Sequence, residues 1–94
     1  MNKKTIAFLK FLNFNIETLE LLKTSYSEIF YTNPDIVINN ILTLVKYGYP
    51  KSDVEDFMLQ NPTFVLYDNL VLSSLLENLG DDIESKLKSN PYLI

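Results

Sequence analysis

Twelve carboxylates and eight lysines are the only charged side chains in this 94-residue chain, which has no arginine, histidine or cysteine. Those absences remove disulfides, thiol catalysis, the usual zinc sites and the general base that titrates near neutral pH. Three acids fall within Asp81-Asp82-Ile83-Glu84. Three carboxylates in four residues invite a cation, but a calcium loop needs more oxygen ligands at alternating positions. The spacing suits acids at the positive end of a helix, where each stabilises by ~0.3–1 kcal/mol. No carboxylate pair comes with an orienting partner of the kind acid–base chemistry requires. The chain is therefore expected to be non-enzymatic, with no catalytic residue, cofactor or metal.

Lysine offers a different chemistry. Lys3, Lys4 and Lys10 place three positive charges in residues 1–16, which carry no acid. Lys3 and Lys10 stand seven apart, on one face of a helix. Lys46 and Lys51 flank a single turn. Lys3, Lys10, Lys46 and Lys51 are accordingly the candidate nucleic-acid-binding residues, with ordinary solubilising charge as the alternative. The net charge of −4 disfavours phosphate binding, as does the lack of a guanidinium to grip phosphate in a fork. Residues 51–68 set Lys51 against Asp53, Glu55, Asp56 and Asp68. Read for its charge alone, the chain would be an acidic nucleic-acid mimic, a remoter possibility.

These side chains must be carried by helices. Ser52-Asp53-Val54-Glu55 has the form of a capping box, as does Ser25-Tyr26-Ser27-Glu28, and Asp81-Asp82-Ile83-Glu84 follows the same logic with Asp as cap. Asn33-Pro34 reads as an N-cap followed by Pro at the first helical position, where its missing N–H is not needed. Gly80 ends a helix. Apolar stripes at three- and four-residue steps run through Ile38, Ile41, Leu42 and Val45, through Val54, Phe57 and Met58, and through Leu72, Leu75, Leu76 and Leu79. Strand alternation and hairpin turns are absent. The expectation is an all-α fold with helices at 4–13, 16–24, 34–47, 52–60, 69–79 and 82–89, and single turns at 26–31 and 62–67.

The pattern recurs along the chain. A shift of 35 residues sets Leu9 on Leu44, Asn13 on Gly48, Phe14 on Tyr49, Leu19 on Val54, Leu22 on Phe57, and Ile29-Phe30 on Phe64-Val65. A third, shorter copy matches Gly48 with Gly80, Val54 with Ile83, and Asn61-Pro62 with Asn90-Pro91. Thr63-Phe64-Val65 then falls on Tyr92-Leu93-Ile94. Each unit is a long helix, a turn with Asn or Gly, a shorter helix and a one-turn apolar plug, which Asn61 and Asn90 cap in the second and third units. The units span about 1–32, 33–67 and 68–94 of one domain.

The stretches "LKFLNFNIETLELLKTSYSEIF", "LTLVKYGYPKSDVEDFMLQNPTFVL" and "LLENLGDDIESKLKSNPYLI" resemble repeats of the mitochondrial transcription termination factor (mTERF) family. The resemblance covers two and a half to three repeats, with Asn13 in place of the family's Gly and Ser27 in place of its Pro. It implies a short helical-repeat array, of either hand, and for the family a basic groove for nucleic acid.

Ile6, Phe8, Leu9, Phe11, Leu12 and Phe14 surround the axis of the first helix, where an end helix should have a polar outer face. Phe8, Phe11 and Leu12 are therefore the candidate partner-binding anchors, for a protein partner or a second copy. The opening "MNKK" resembles a signal peptide, but Lys10 interrupts the apolar run, so it is read as this first helix. No segment approaches the ~20 apolar residues that span a bilayer. No membrane association and a cytoplasmic location are expected.

Overall fold

Asn2 opens the first helix by accepting the Lys4 N–H at 2.9 Å on its side-chain oxygen. From there the computed structural model, which describes all 94 residues, is helical throughout. The α-helices are α1 (Lys3–Phe11), α2 (Ile16–Ser25), α3 (Pro34–Lys46), α4 (Val54–Gln60), α5 (Asn69–Leu79) and α6 (Ile83–Ser89). Short 3₁₀ turns follow α2, α4 and α6 at Ser27–Phe30, Pro62–Leu66 and Pro91–Leu93. They are called here the first, middle and last plug. A fourth 3₁₀ turn, Lys51–Asp53, leads into α4. A helix pair followed by a plug thus occurs three times, but the expected order of longer then shorter helix fails in the first pair, where α1 has 9 residues and α2 has 10.

The turns between paired helices each carry a residue of positive φ, and the third carries a second one, Asp82 at 61°. Asn13, Gly48 and Gly80 all have positive φ, at 65°, 116° and 72°. Asn tolerates that region better than most residues with a Cβ, and Gly enters it freely. Phe14 N–H bonds to the Leu9 carbonyl at 3.1 Å, and Tyr49 N–H to the Leu44 carbonyl at 3.2 Å. The ends of the second helix of each pair also correspond. Tyr26, Asn61 and Asn90 donate their N–H to Leu22, Phe57 and Lys86 at 2.8, 2.8 and 3.0 Å.

α3 lies at the centre, packed on α1, α5 and the middle plug. Its buried side chains are Val37, Asn40, Ile41 and Leu44. That corrects the expected stripe: Leu42 is exposed, because the inward face is turned by about one position toward Val37 and Leu44. The α4 stripe is buried as expected, and in α5 Leu72 and Leu76 are buried with Leu75 and Leu79 packed at their edge. Phe57 stacks between Tyr49 and Phe64, with ring centroids 5.2 Å away on each side. Each residue of the pairs Leu9/Leu44, Phe14/Tyr49, Leu19/Val54, Leu22/Phe57, Ile29/Phe64 and Phe30/Val65 is buried. All of them belong to a single apolar cluster. A radius of gyration of 12.5 Å matches the ~12–13 Å of a globular domain this size.

The capping expectations need correcting in several places. Ser52 sits inside the Lys51–Asp53 turn, and Asp53 precedes α4 without a side-chain cap bond. Glu55, instead of folding back, accepts the Asn15 N–H at 2.8 Å and so caps the start of α2 from another helix. Ser25 belongs to α2, and no side chain caps the first plug. Asn61 likewise leaves its plug without a side-chain cap. Its amide reaches the Pro91 carbonyl at 2.9 Å. Asn33 and Asn90 cap as expected, onto Asp35 and Tyr92, whereas α6 is capped one residue later than the expected box, by Asp82 onto Ser85. Asp68, not singled out in the sequence, caps α5 through the Leu70 and Val71 N–H groups.

Candidate functional site

Phe11 closes α1 and is 69% exposed. Its ring lies 6.4 Å from that of Phe8, and the Lys51 Nζ sits 5.1 Å from its centroid. An ammonium at that distance is held by the negative face of the ring. Phe8 and Leu12 are half-buried against the core, so they support Phe11 rather than standing free beside it. The remaining apolar residues of α1 divide in the same way. Leu9 is fully buried and Ile6 packs at the edge of the core. The helix that looked apolar all round therefore presents one large exposed side chain, Phe11.

Lys3, Lys10, Lys46 and Lys51 are all exposed. Among the salt bridges formed within 4.0 Å, none involves these four. Lys4 pairs with Asp35 at 2.9 Å, and Lys23 with Glu20 at 3.5 Å. Lys88 bridges Asp53 and Glu84, each at 2.7 Å, and Lys86 donates to the Leu79 carbonyl at the end of α5. Of the four candidates, Lys51 alone has an aromatic ring beneath its ammonium. It joins a residue from each expected set, the aromatic anchors and the basic contacts.

Lys88 was missed as a site residue. Its bond to Asp53 first, and that to Glu84 second, hold its ammonium above the usual lysine value. Its Nζ also lies 5.9 Å from the Tyr49 ring centroid. Burial pushes the Tyr49 phenol above its ordinary value, partly offset by Lys88. The Glu84–Lys88 spacing of four was legible on a helix, whereas Asp53 lies 35 residues back. Tyr49 is buried, Tyr47 is half-buried and Tyr26 is exposed.

A polar hub behind the surface was also missed. The buried Asn40 amide donates to the Val65 and Tyr67 carbonyls at 2.9 and 2.8 Å. Its oxygen accepts from Asn69 at 2.9 Å, and Asn69 also donates to Thr43. One side chain thus ties α3 to the middle plug and to α5. Asn40 lies on the helix face whose other members are apolar, so a period-based search passes over it.

No grouping of three or more acids assembles into a potential metal site. No helix is long and apolar enough to cross a membrane. The molecule has a single cleft, about 250 Å³ in volume, between the end of α2, the first plug and the middle plug. Compared with protein-family models, curated proteins and solved structures, the chain matches none.

Proposed function

We propose that this chain is a small, non-enzymatic helical-repeat module of mTERF-like build that binds another protein, a second copy of itself included. The observation that carries this reading is Phe11, a large aromatic ring 69% exposed at the end of α1. Phe8, itself packed on the core, lies 6.4 Å from it ring to ring, which limits the side-chain freedom lost when a partner covers it. Exposed aromatic anchors next to a cationic group are typical of the centre of an interface. The recurring turns at Asn13, Gly48 and Gly80, with the matched burial of the paired residues, support the repeat reading.

Light scattering across a range of concentrations tests it. Self-association should appear as a rise toward twice the monomer mass and vanish in Phe11→Asp, with melting unchanged because the side chain is exposed. A monomer at every concentration would remove the second copy as partner and leave only a different protein.

One observation favours a second reading, nucleic-acid binding. Lys3, Lys10, Lys46 and Lys51 form no salt bridge, whereas Lys4, Lys23 and Lys88 do. A shift assay at low salt with single- and double-stranded DNA and RNA decides between the two. Binding that falls steeply with added salt, and further in Lys51→Ala, would replace the protein-interaction reading.

A further inference from the structure

The single cleft is lined by Ser25, Tyr26, Ser27, Glu28, Ile29, Thr63 and Leu66. Its place in the fold recurs one succession later, and the two places are occupied differently. Ser25 and Gln60 are the last residues of α2 and α4. The residue after each, Tyr26 and Asn61, has φ near −140° and donates its N–H to the carbonyl four back at 2.8 Å. Thr63 and Tyr92 are each the second residue of the plug that follows, in the middle and last plugs.

Between the middle and last plugs, the Tyr92 hydroxyl crosses to the Gln60 carbonyl at 2.8 Å, and no cleft remains. Between the first and middle plugs, Thr63 stands where Tyr92 stands and is too short to cross. Its hydroxyl turns back to Asn61 at 3.5 Å. No side chain donates to the Ser25 carbonyl, the counterpart of the Gln60 carbonyl. Half-buried Leu66 contributes the accessible apolar lining, with Ile29 fully buried beneath the surface. The volume falls below the ~300–1,000 Å³ of pockets for drug-sized ligands and suits one inserted side chain.

We infer that this cleft receives a tyrosine side chain from a partner protein. The ring would rest on Leu66, and the phenol hydroxyl would donate to the Ser25 carbonyl as Tyr92 does to Gln60. The protein-interaction reading supplies the source of that tyrosine, and the internal comparison supplies the hydroxyl's acceptor, the Tyr92 ring itself lying exposed on the surface. The Glu28 carboxylate at the rim sets a specificity. It repels a phosphorylated tyrosine, so the cleft takes the unmodified residue.

The test is a titration of the ¹⁵N-labelled full chain with N-acetyltyrosinamide, followed by amide shifts. Saturable shifts are expected at Ser25–Ile29, Thr63 and Leu66. N-acetylphenylalaninamide should bind about 3- to 10-fold more weakly, the ratio for one hydrogen bond. The phosphorylated analogue should give no saturable shift. Thr63→Tyr, at an exposed position, should fill the cleft from within and abolish binding. Equal binding of the phenylalanine analogue, shifts outside the cleft, or unchanged binding in Thr63→Tyr would overturn the inference. So would the absence of saturable shifts. None of these outcomes depends on Phe11, so a failure here is distinct from a failure of the light-scattering test.

Discussion

The two junctions between successive plugs are built from the same backbone and held by different chemistry. At the junction of the middle and last plugs, three side chains reach across to backbone carbonyls. Asn61 bonds to Pro91 at 2.9 Å, Tyr67 to Ile94 at 2.6 Å and Tyr92 to Gln60 at 2.8 Å. At the junction of the first and middle plugs no such bond forms. The residue corresponding to Asn61 there is Tyr26, which is exposed, and that corresponding to Tyr67 is Thr32, whose hydroxyl turns back to Glu28. Asn and Tyr suit a junction that must satisfy carbonyls. Where they are replaced, shape complementarity lapses and a cleft opens. The second junction therefore reads as structural, and the first as available to a ligand.

The plug common to both junctions supplies the most severe test. Phe64 is fully buried, edge-on to Phe57. Phe64→Ala should destabilise by ~3–5 kcal/mol, measured by chemical denaturation. A near-neutral result would mean that the plugs do not unify the core. Asn40→Leu comes next. Leu72 occupies the corresponding position on α5 and is buried, so the shape is tolerated. The Val65 and Tyr67 carbonyls would lose their donor, at a cost of about 2–3 kcal/mol.

Tyr67→Phe removes one bond from the second junction alone and should lower stability by ~0.5–1.5 kcal/mol. Hydrogen exchange should quicken around the last plug and stay unchanged around the first. Equal quickening at both would show that the two junctions open together. Thr5 gives an effect of the opposite sign. Its hydroxyl is buried without a partner, at the position 35 residues before Asn40. Asparagine is long enough to reach its plug and threonine is not; in the first succession the Phe30 carbonyl is met by the Asn2 N–H at 2.7 Å instead. Thr5→Val should raise stability by up to about 1 kcal/mol, and a loss would point to a partner for that hydroxyl.

The smallest expected effect is alkaline. Tyr49 and Lys88 both have folded pKa values raised above their ordinary ones. A raised folded value means that the native state holds the proton more tightly than the unfolded chain. The resulting stabilisation is complete below pH ~10 and is lost as pH rises through the folded values. Tyr49→Phe should flatten the tyrosine part of that decline in a pH series of melting curves. An unaltered decline would assign it to Lys88.

Local sequence determined the helices. Each expected helix exists with ends within two residues of those expected, because Asn33-Pro34, Gly80, Asp82 and the apolar steps act over a single turn. The recurrence of buried pairs was legible for the same reason, since a residue's periodic place on a helix is local information. The destinations of the long polar side chains were decided by the tertiary structure. Glu55 left its own helix for Asn15, 40 residues away, and Asn61 left its plug for Pro91, 30 residues away. A capping side chain competes only with solvent until another chain segment comes within reach, and then the unpaired backbone group on that segment takes it. Phe11 followed the same rule in reverse. Its apolar character was plain in the sequence, but its exposure depended on α3 and the core claiming Leu9 and the inner faces of Phe8 and Leu12.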